Sequence, residues 1–350
     1  MTSFINAIPS SEGQGEDFKR IFCSIPCTIE NASDYLHQKL FPRKFCKDTW
    51  QVPEEDFDKA LKKTEHAIET IWKNALSMPL DDTDARYAKI SATLKNVAPP
   101  LRLVWWRTLD HLGKTPKSNE GYTLTLEEAL NVCQATGKVF TYYFLSHRWD
   151  TRDHPDPNGV KSRICADYSR VRTQTFNEEV FYWIDYSSID QEGMAPFIAA
   201  LPLYCSGAQI IMVPYNEEYE DRGWCLVERL AYAALNGPLQ FVCGMKYVDH
   251  AQQKGWSQIQ SCFTYFADSE GLHYSWLRPL ANPALGKLSF EQDRPLIKSL
   301  SEVLLRQWGK TWVQGSRWPP PGAFDRCSTT AKGPVRWGVT TVNVILMSKT

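Results

Sequence analysis

A chain of 350 residues with 43% hydrophobic and 23% charged residues can build one large domain or two ordinary ones. A formal net charge of -1 gives no global case for nucleic acid or an anionic membrane as partner, and no apolar run reaches the ~18–20 residues that span a bilayer. The 10 Cys are scattered, Cys23 and Cys27 being the one close pair, and none forms a Cys/His cluster at zinc spacing; reduced thiols in a cytosol are expected.

The polar opening lacks the charged-then-apolar pattern of a signal peptide and reads as a disordered start, with some likeness to a bacterial secretion tag. From Glu54 the positions Phe57, Leu61, Ile68, Ile71, Trp72 and Leu76 recur at helical steps up to Pro79. A second helix is expected from Asp84 to Val97, and the apolar stretch Leu101 to Leu112 reads as a third. Residues 1–118 are therefore expected to form a mostly helical first region, bounded by the linker-like run Gly113–Gly121.

Residues 119–310 follow another rhythm. Thr125-Leu126-Glu127-Glu128 offers a capping-box helix start, ending near Gly137. Buried strands are expected at Val139–Leu145, Val180–Ile184, Gln209–Val213 and Leu239–Cys243. Helices are expected at Val160–Phe176, Met194–Cys205 and Arg222–Leu235, with a last one opening at Asp293-Arg294-Pro295. Past residue 310 the Gly, Pro and Thr content predicts an irregular tail. Strands with nearly continuous apolar character, alternating with helices, predict an α/β fold on a parallel sheet covered on both faces.

In such sheets ligands bind beyond the carboxyl ends of the strands, where strand order switches. Those ends run into Ser146-His147-Arg148-Trp149-Asp150, Asp185-Tyr186-Ser187-Ser188, and, through Pro214-Tyr215-Asn216, Asp221-Arg222-Gly223-Trp224-Cys225. Polar, charged and aromatic side chains thus gather at one rim.

Three segments carry a family resemblance. YYFLSHRWDTR resembles the first signature of Toll/interleukin-1 receptor (TIR) domains. FYWIDYSSIDQ is similar to their second strand and the loop after it. IIMVPYNEEYEDRGWCLVERL resembles the third strand and the segment where Trp-Cys-Leu precedes a Glu in the next helix. The resemblance covers about 100 residues and implies a flavodoxin-like sheet. The long loop SHRWDTRDHPDPNG departs from the usual pattern and marks a divergent branch. Some members of the family cleave NAD at the nicotinamide–ribose bond, by hydrolysis or cyclisation, in immunity, cell death or pathogen effectors; others only associate with their own kind. NAD enters as substrate, with no other cofactor, and the setting implied is a cytosol, that of a bacterium's host included if the protein is secreted.

Nicotinamide leaves NAD from a cationic nitrogen and departs neutral, so no acid is needed, unlike the two-carboxylate cleavage of ordinary glycosides. One carboxylate to bind ribose hydroxyls and stabilise oxocarbenium charge is enough. Glu228 suits that work, beside Trp224, Cys225 and Tyr232 on a helical wheel; the plain alternative is a surface carboxylate pairing Arg222 or Arg229. Substrate contacts are expected from Ser146, His147, Arg148, Trp149, Asp185, Ser187 and Trp224, with structural alternatives for most: core packing for the Trp residues, a salt bridge for Arg148, a backbone bond for Ser146, a satisfied structural role for His147, loop capping for Asp185. The run Asp150, Asp153, Asp156, Asn158 lacks the order of a calcium loop, so no metal is expected. With neither a Walker loop nor GxGxxG, triphosphatase and ordinary dehydrogenase chemistry are disfavoured. The competing expectations are a silent module that self-associates through Ser187–Met194, and a nucleoside-processing transferase.

Overall fold

The computed structural model describes residues 32–45, 50, 56–75, 99–208, 210–213, 221–236, 241–243 and 283–313. The expected disordered start, the helix at Asp84–Val97, the loop Pro214-Tyr215-Asn216 and the tail beyond residue 313 lie outside them.

The chain forms an α/β fold on a six-stranded mixed sheet. Its strands are β1 (Arg102–Trp105), β2 (Thr123–Thr125), β3 (Val139–Leu145), β4 (Glu178–Trp183), β5 (Ile210–Val213) and β6 (Phe241–Cys243), in the order β2-β1-β4-β3-β5-β6. The part β4-β3-β5-β6 is parallel, and its order is compatible with a flavodoxin-like sheet. The helices are α1 (Ala32–Leu40), α2 (Phe57–Ala75), α3 (Trp106–Leu112), α4 (Leu126–Thr136), α5 (Val160–Phe176), α6 (Asp185–Ser188), α7 (Met194–Gly207), α8 (Gly223–Asn236) and α9 (Arg294–Val313). No helix among the described residues is long and apolar enough to cross a membrane.

Alternation along β3 fixes which helices cover which face. Tyr143 meets Tyr168 of α5, with ring centroids 5.5 Å apart, while the hydroxyl of its neighbour Tyr142 donates to the Tyr204 carbonyl of α7. α5 therefore lies on one face and α7 on the other. α7 packs against α2 and α8, and α9 packs on α8. Phe144 stacks on Trp183 of the adjacent strand at 4.4 Å, and Trp183 on Tyr204 at 5.5 Å, so the core is an aromatic column through the sheet's middle.

Two features depart from the sequence reading. The sheet is mixed, because β1 pairs antiparallel with both β2 and β4. Residues 101–112, expected to be one helix, split into β1 and the short α3. The run Arg102–Trp105 is buried on every residue, which suits a strand between two neighbours. β1 precedes the expected linker 113–121 and β2 follows it, and one apolar cluster runs from Leu36 to Leu304, so residues on both sides of that run share a sheet and a core.

Glu179 explains how the early elements are tied to the sheet. This fully buried carboxylate at the start of β4 accepts from Trp105 Nε1 (2.7 Å), Trp106 Nε1 (2.8 Å) and Ser33 Oγ (2.8 Å), and pairs with Lys138 Nζ at 3.2 Å. Its acceptor capacity is filled by groups from α1, β1, α3 and the α4–β3 turn, which is how a buried charge is made tolerable.

Candidate functional site

The carboxyl ends of the parallel strands hold a second buried carboxylate, and it is satisfied differently. β3 leads to β4 on one side, and the chain then crosses past β3 to β5 on the other, so the ends of β3 and β5 flank the point where strand order switches. Ser146 follows β3 directly. α8, which follows β5, carries Glu228 between the packed Val227 and Leu230. Glu228 is 8% exposed, and the Ser146 hydroxyl donates to its Oε2. Among the described residues Ser146 is its one hydrogen-bonding partner, against four cationic or neutral donors around Glu179. An ionised carboxylate has roughly four acceptor positions. Among the described residues, Glu228 therefore keeps capacity that Glu179 does not.

The electrostatics follow from that shortage. Burial pushes the Glu228 carboxyl well above its ordinary range; the Ser146 hydrogen bond opposes the shift and the Asp185 charge adds to it. Cys205 of α7 is close enough to feel the Glu228 charge, but burial first, and that charge second, raise its thiol far from the thiolate form. The surface reading of Glu228 is excluded, since the carboxylate is buried and Arg222 instead donates to Ser289.

A hydrogen-bonded cluster of side chains stands on the same rim. Asp185, at the start of α6, lies with Oδ1 2.9 Å from His147 Nε2, takes the Trp149 indole N–H on Oδ2 at 2.7 Å, and takes the Tyr186 backbone N–H at 2.6 Å. Burial works against its charge, but these donors outweigh it and hold the carboxyl below the usual range. Trp149 packs edge-on against Tyr186 at 5.4 Å.

The long first loop is wound around a residue that the sequence reading passed over. Lys161 is fully buried, and its Nζ donates to the carbonyls of Arg148 (2.5 Å) and Pro155 (2.5 Å) and to Asp150 Oδ1 (2.8 Å). Asp156 accepts from the backbone N–H groups of Lys161 (3.1 Å) and Ser162 (2.8 Å), capping the start of α5. Asp150 and Asp156 of the Asp-rich run are thus spent on loop structure. A lysine in a helix's first turn is opposed by the macrodipole, and that mismatch was the readable signal that a carboxylate and carbonyls must surround it. Gly159 is needed here. It has φ +66°, and a Cβ would sit 1.9 Å from the Gly113 carbonyl oxygen.

Two expected contacts are engaged elsewhere. The Ser187 hydroxyl, fully buried, donates to the Pro116 carbonyl and is a structural tie rather than a ligand contact. Trp224 donates its indole N–H to Asp293 at 3.1 Å, joining α8 to the turn before α9. That turn belongs to a clip over the first residues of α8: Gly223 N–H donates to Lys287 O at 3.0 Å, and Lys287 N–H to Asp221 O at 2.6 Å. Arg152 of the first loop lies over Phe290 of the same clip at 5.4 Å. Arg148 is half-buried, and its carbonyl is held by Lys161. The structure therefore gathers Glu228 with Ser146, and His147 and Trp149 with Asp185, while the Ser187 hydroxyl is bonded to Pro116 and the Trp224 indole N–H to Asp293.

No family model, curated protein or solved structure matches the chain.

Proposed function

We propose that the chain is a TIR-like NAD glycohydrolase or cyclase that cleaves the nicotinamide–ribose bond, with Glu228 as the catalytic carboxylate. The observation that carries this is the state of Glu228: buried at the switch point of the sheet, held by Ser146 alone among the described residues, with acceptor capacity left over. The sequence resemblance supplies the substrate, and the site chemistry suits it. The leaving nicotinamide needs no proton, so a single carboxylate can act by holding a ribose hydroxyl and facing the positive charge that develops on the sugar. Low dielectric around Glu228 strengthens that attraction.

The raised affinity of Glu228 for its proton belongs to the same reading. A neutral carboxyl is favoured when nothing cationic is near. The pyridinium of arriving NAD favours the ionised form, as any nearby positive charge does. Binding of the substrate thus draws the proton off and charges the carboxylate when it is needed. Water, or a nucleophilic atom of the substrate's own adenine, then takes the sugar's anomeric carbon, giving ADP-ribose or a cyclic isomer. Incubating the purified protein with NAD and following free nicotinamide tests the reading; release of nicotinamide supports it, and no turnover at high protein concentration overturns it.

The competing reading is a silent self-association module. What favours it is Met194, 44% exposed at the start of α7 and next to the loop that leaves α6. Concentration-dependent dimerisation that Met194→Lys abolishes, without NAD turnover, would decide for it.

A further inference from the structure

His147 is a group the proposed chemistry has not yet used. It follows Ser146 in the chain and is 5% exposed. Its Nε2 lies 2.9 Å from Asp185 Oδ1. Asp185 is kept ionised by its donors and can only accept, so Nε2 carries the hydrogen. The Trp149 indole on the other oxygen, and the Tyr186 backbone N–H, hold the carboxylate still. The imidazole is therefore fixed in orientation and tautomer, and in its neutral form Nδ1 presents a lone pair.

That Nδ1 is buried and meets no hydrogen-bonding partner among the described residues. Leaving a buried acceptor unpaired is costly, and native folds seldom carry such groups without a use for them. The same rim holds Glu228, which is bonded by Ser146, the residue before His147 in the chain.

We propose that His147 Nδ1 is a ligand-binding atom that accepts a hydrogen bond from an N–H or O–H of the molecule bound at Glu228, with Asp185 as the positioning residue that fixes the imidazole. This rests on the reading of that molecule as NAD. Beside the bond to be cleaved, the dinucleotide offers two such donors: the carboxamide NH2 of nicotinamide, and the hydroxyls of the ribose that carries it.

The test is calorimetric binding at pH 8 of uncleavable carbocyclic NAD and two relatives. One has an acetyl group in place of the carboxamide, and one lacks a hydroxyl on the nicotinamide-side sugar. His147→Gln keeps a donor at the Nε2 position for Asp185 and removes the acceptor at Nδ1. Carbocyclic NAD is expected to bind the variant roughly tenfold more weakly, the loss typical of one buried hydrogen bond. One of the two relatives is expected to bind the wild type roughly tenfold more weakly and to show no such loss in the variant, which identifies the donor. Should His147→Gln fail to fold, His147→Asn carries the test the other way: its carbonyl reaches the Nδ1 position and preserves the preference. Equal affinity of wild type and His147→Gln for carbocyclic NAD overturns the assignment while leaving the enzyme reading intact. Absence of any binding by the wild type overturns both.

Discussion

Ser146 and Glu228 stand 82 positions apart in the chain, and the hydroxyl of one donates to the carboxylate of the other where β3 ends and α8 begins its second turn. The bond joins the two sides of the sheet's switch point. It also favours the ionised form of Glu228, against the burial that disfavours it.

The first expectation concerns pH. Because burial raises the Glu228 carboxyl above its ordinary range, turnover of NAD should climb with pH along a limb above the usual carboxylate region, as Glu228 ionises. Ser146→Ala removes a hydrogen bond that favours the charged form, so the limb should move to higher pH. Asp185→Asn removes a repelling charge, so it should move to lower pH. Initial rates from pH 4 to 9 for the three proteins check this, and shifts in the same direction for both variants would contradict it.

Glu228→Gln should make the protein less active and more stable. A carboxyl whose folded pKa is raised contributes stability that is complete below its unfolded value, 4.5, and lost as pH rises through the folded one. The amide carries no such penalty. Thermal melts at pH 8 should therefore favour the variant, each kcal/mol being worth about 2–4 °C in a domain of this size, and the gain should shrink towards pH 4. A variant that melts below wild type at pH 8 would count against a buried carboxylate whose charge is disfavoured.

The clip over α8 should be intolerant of one methyl group. A Cβ on Gly286 would lie 2.6 Å from the backbone of Gly223, with no flexible side chain to yield. Gly286→Ala should cost about 1–3 kcal/mol by overpacking and lower turnover, since the residues displaced lead into the Glu228 helix. Leu285→Ala is the control, its side chain being 80% exposed, and should change neither. Melting temperatures and nicotinamide release read both effects.

Acid should loosen α1. Burial is the main cause that lowers His37 from 6.5 to about 4, with the positive surroundings of His111 and Arg107 adding to it; its Nε2 lies 2.9 Å from Thr108 Oγ1. The folded state thus resists a proton that the unfolded chain takes up. The associated stability is present above pH 6.5 and is lost as pH falls from there towards 4, a change of roughly 3 kcal/mol. His37→Gln should flatten the fall of the urea midpoint in that window; an unchanged slope would show that His37 does not cause it.

The parallel strands and their helices were legible because their signals are local. β3 and α5 have the bounds read from the sequence, and Thr125 and Glu128 close the expected capping box at the start of α4. β1 was misread because a short apolar run such as Leu-Val-Trp-Trp is the same signal in a buried strand and a buried helix, and only its pairing with Tyr182 and Leu124 decides. The site divides the same way. Ser146 and Glu228 could be placed on the rim from strand order, and His147 and Asp185 lie where that order put them. That Ser187 and Trp224 are spent on Pro116 and Asp293, 71 and 69 positions away, depends on how distant segments fold back, which no local pattern records.

The most direct measurement compares wild type with Glu228→Gln at equal concentration with NAD, following nicotinamide by chromatography. The account expects release by the wild type and a loss of at least roughly 100–1,000-fold in the variant, with the variant's melting temperature maintained or raised. Turnover by Glu228→Gln at the wild-type rate would contradict it.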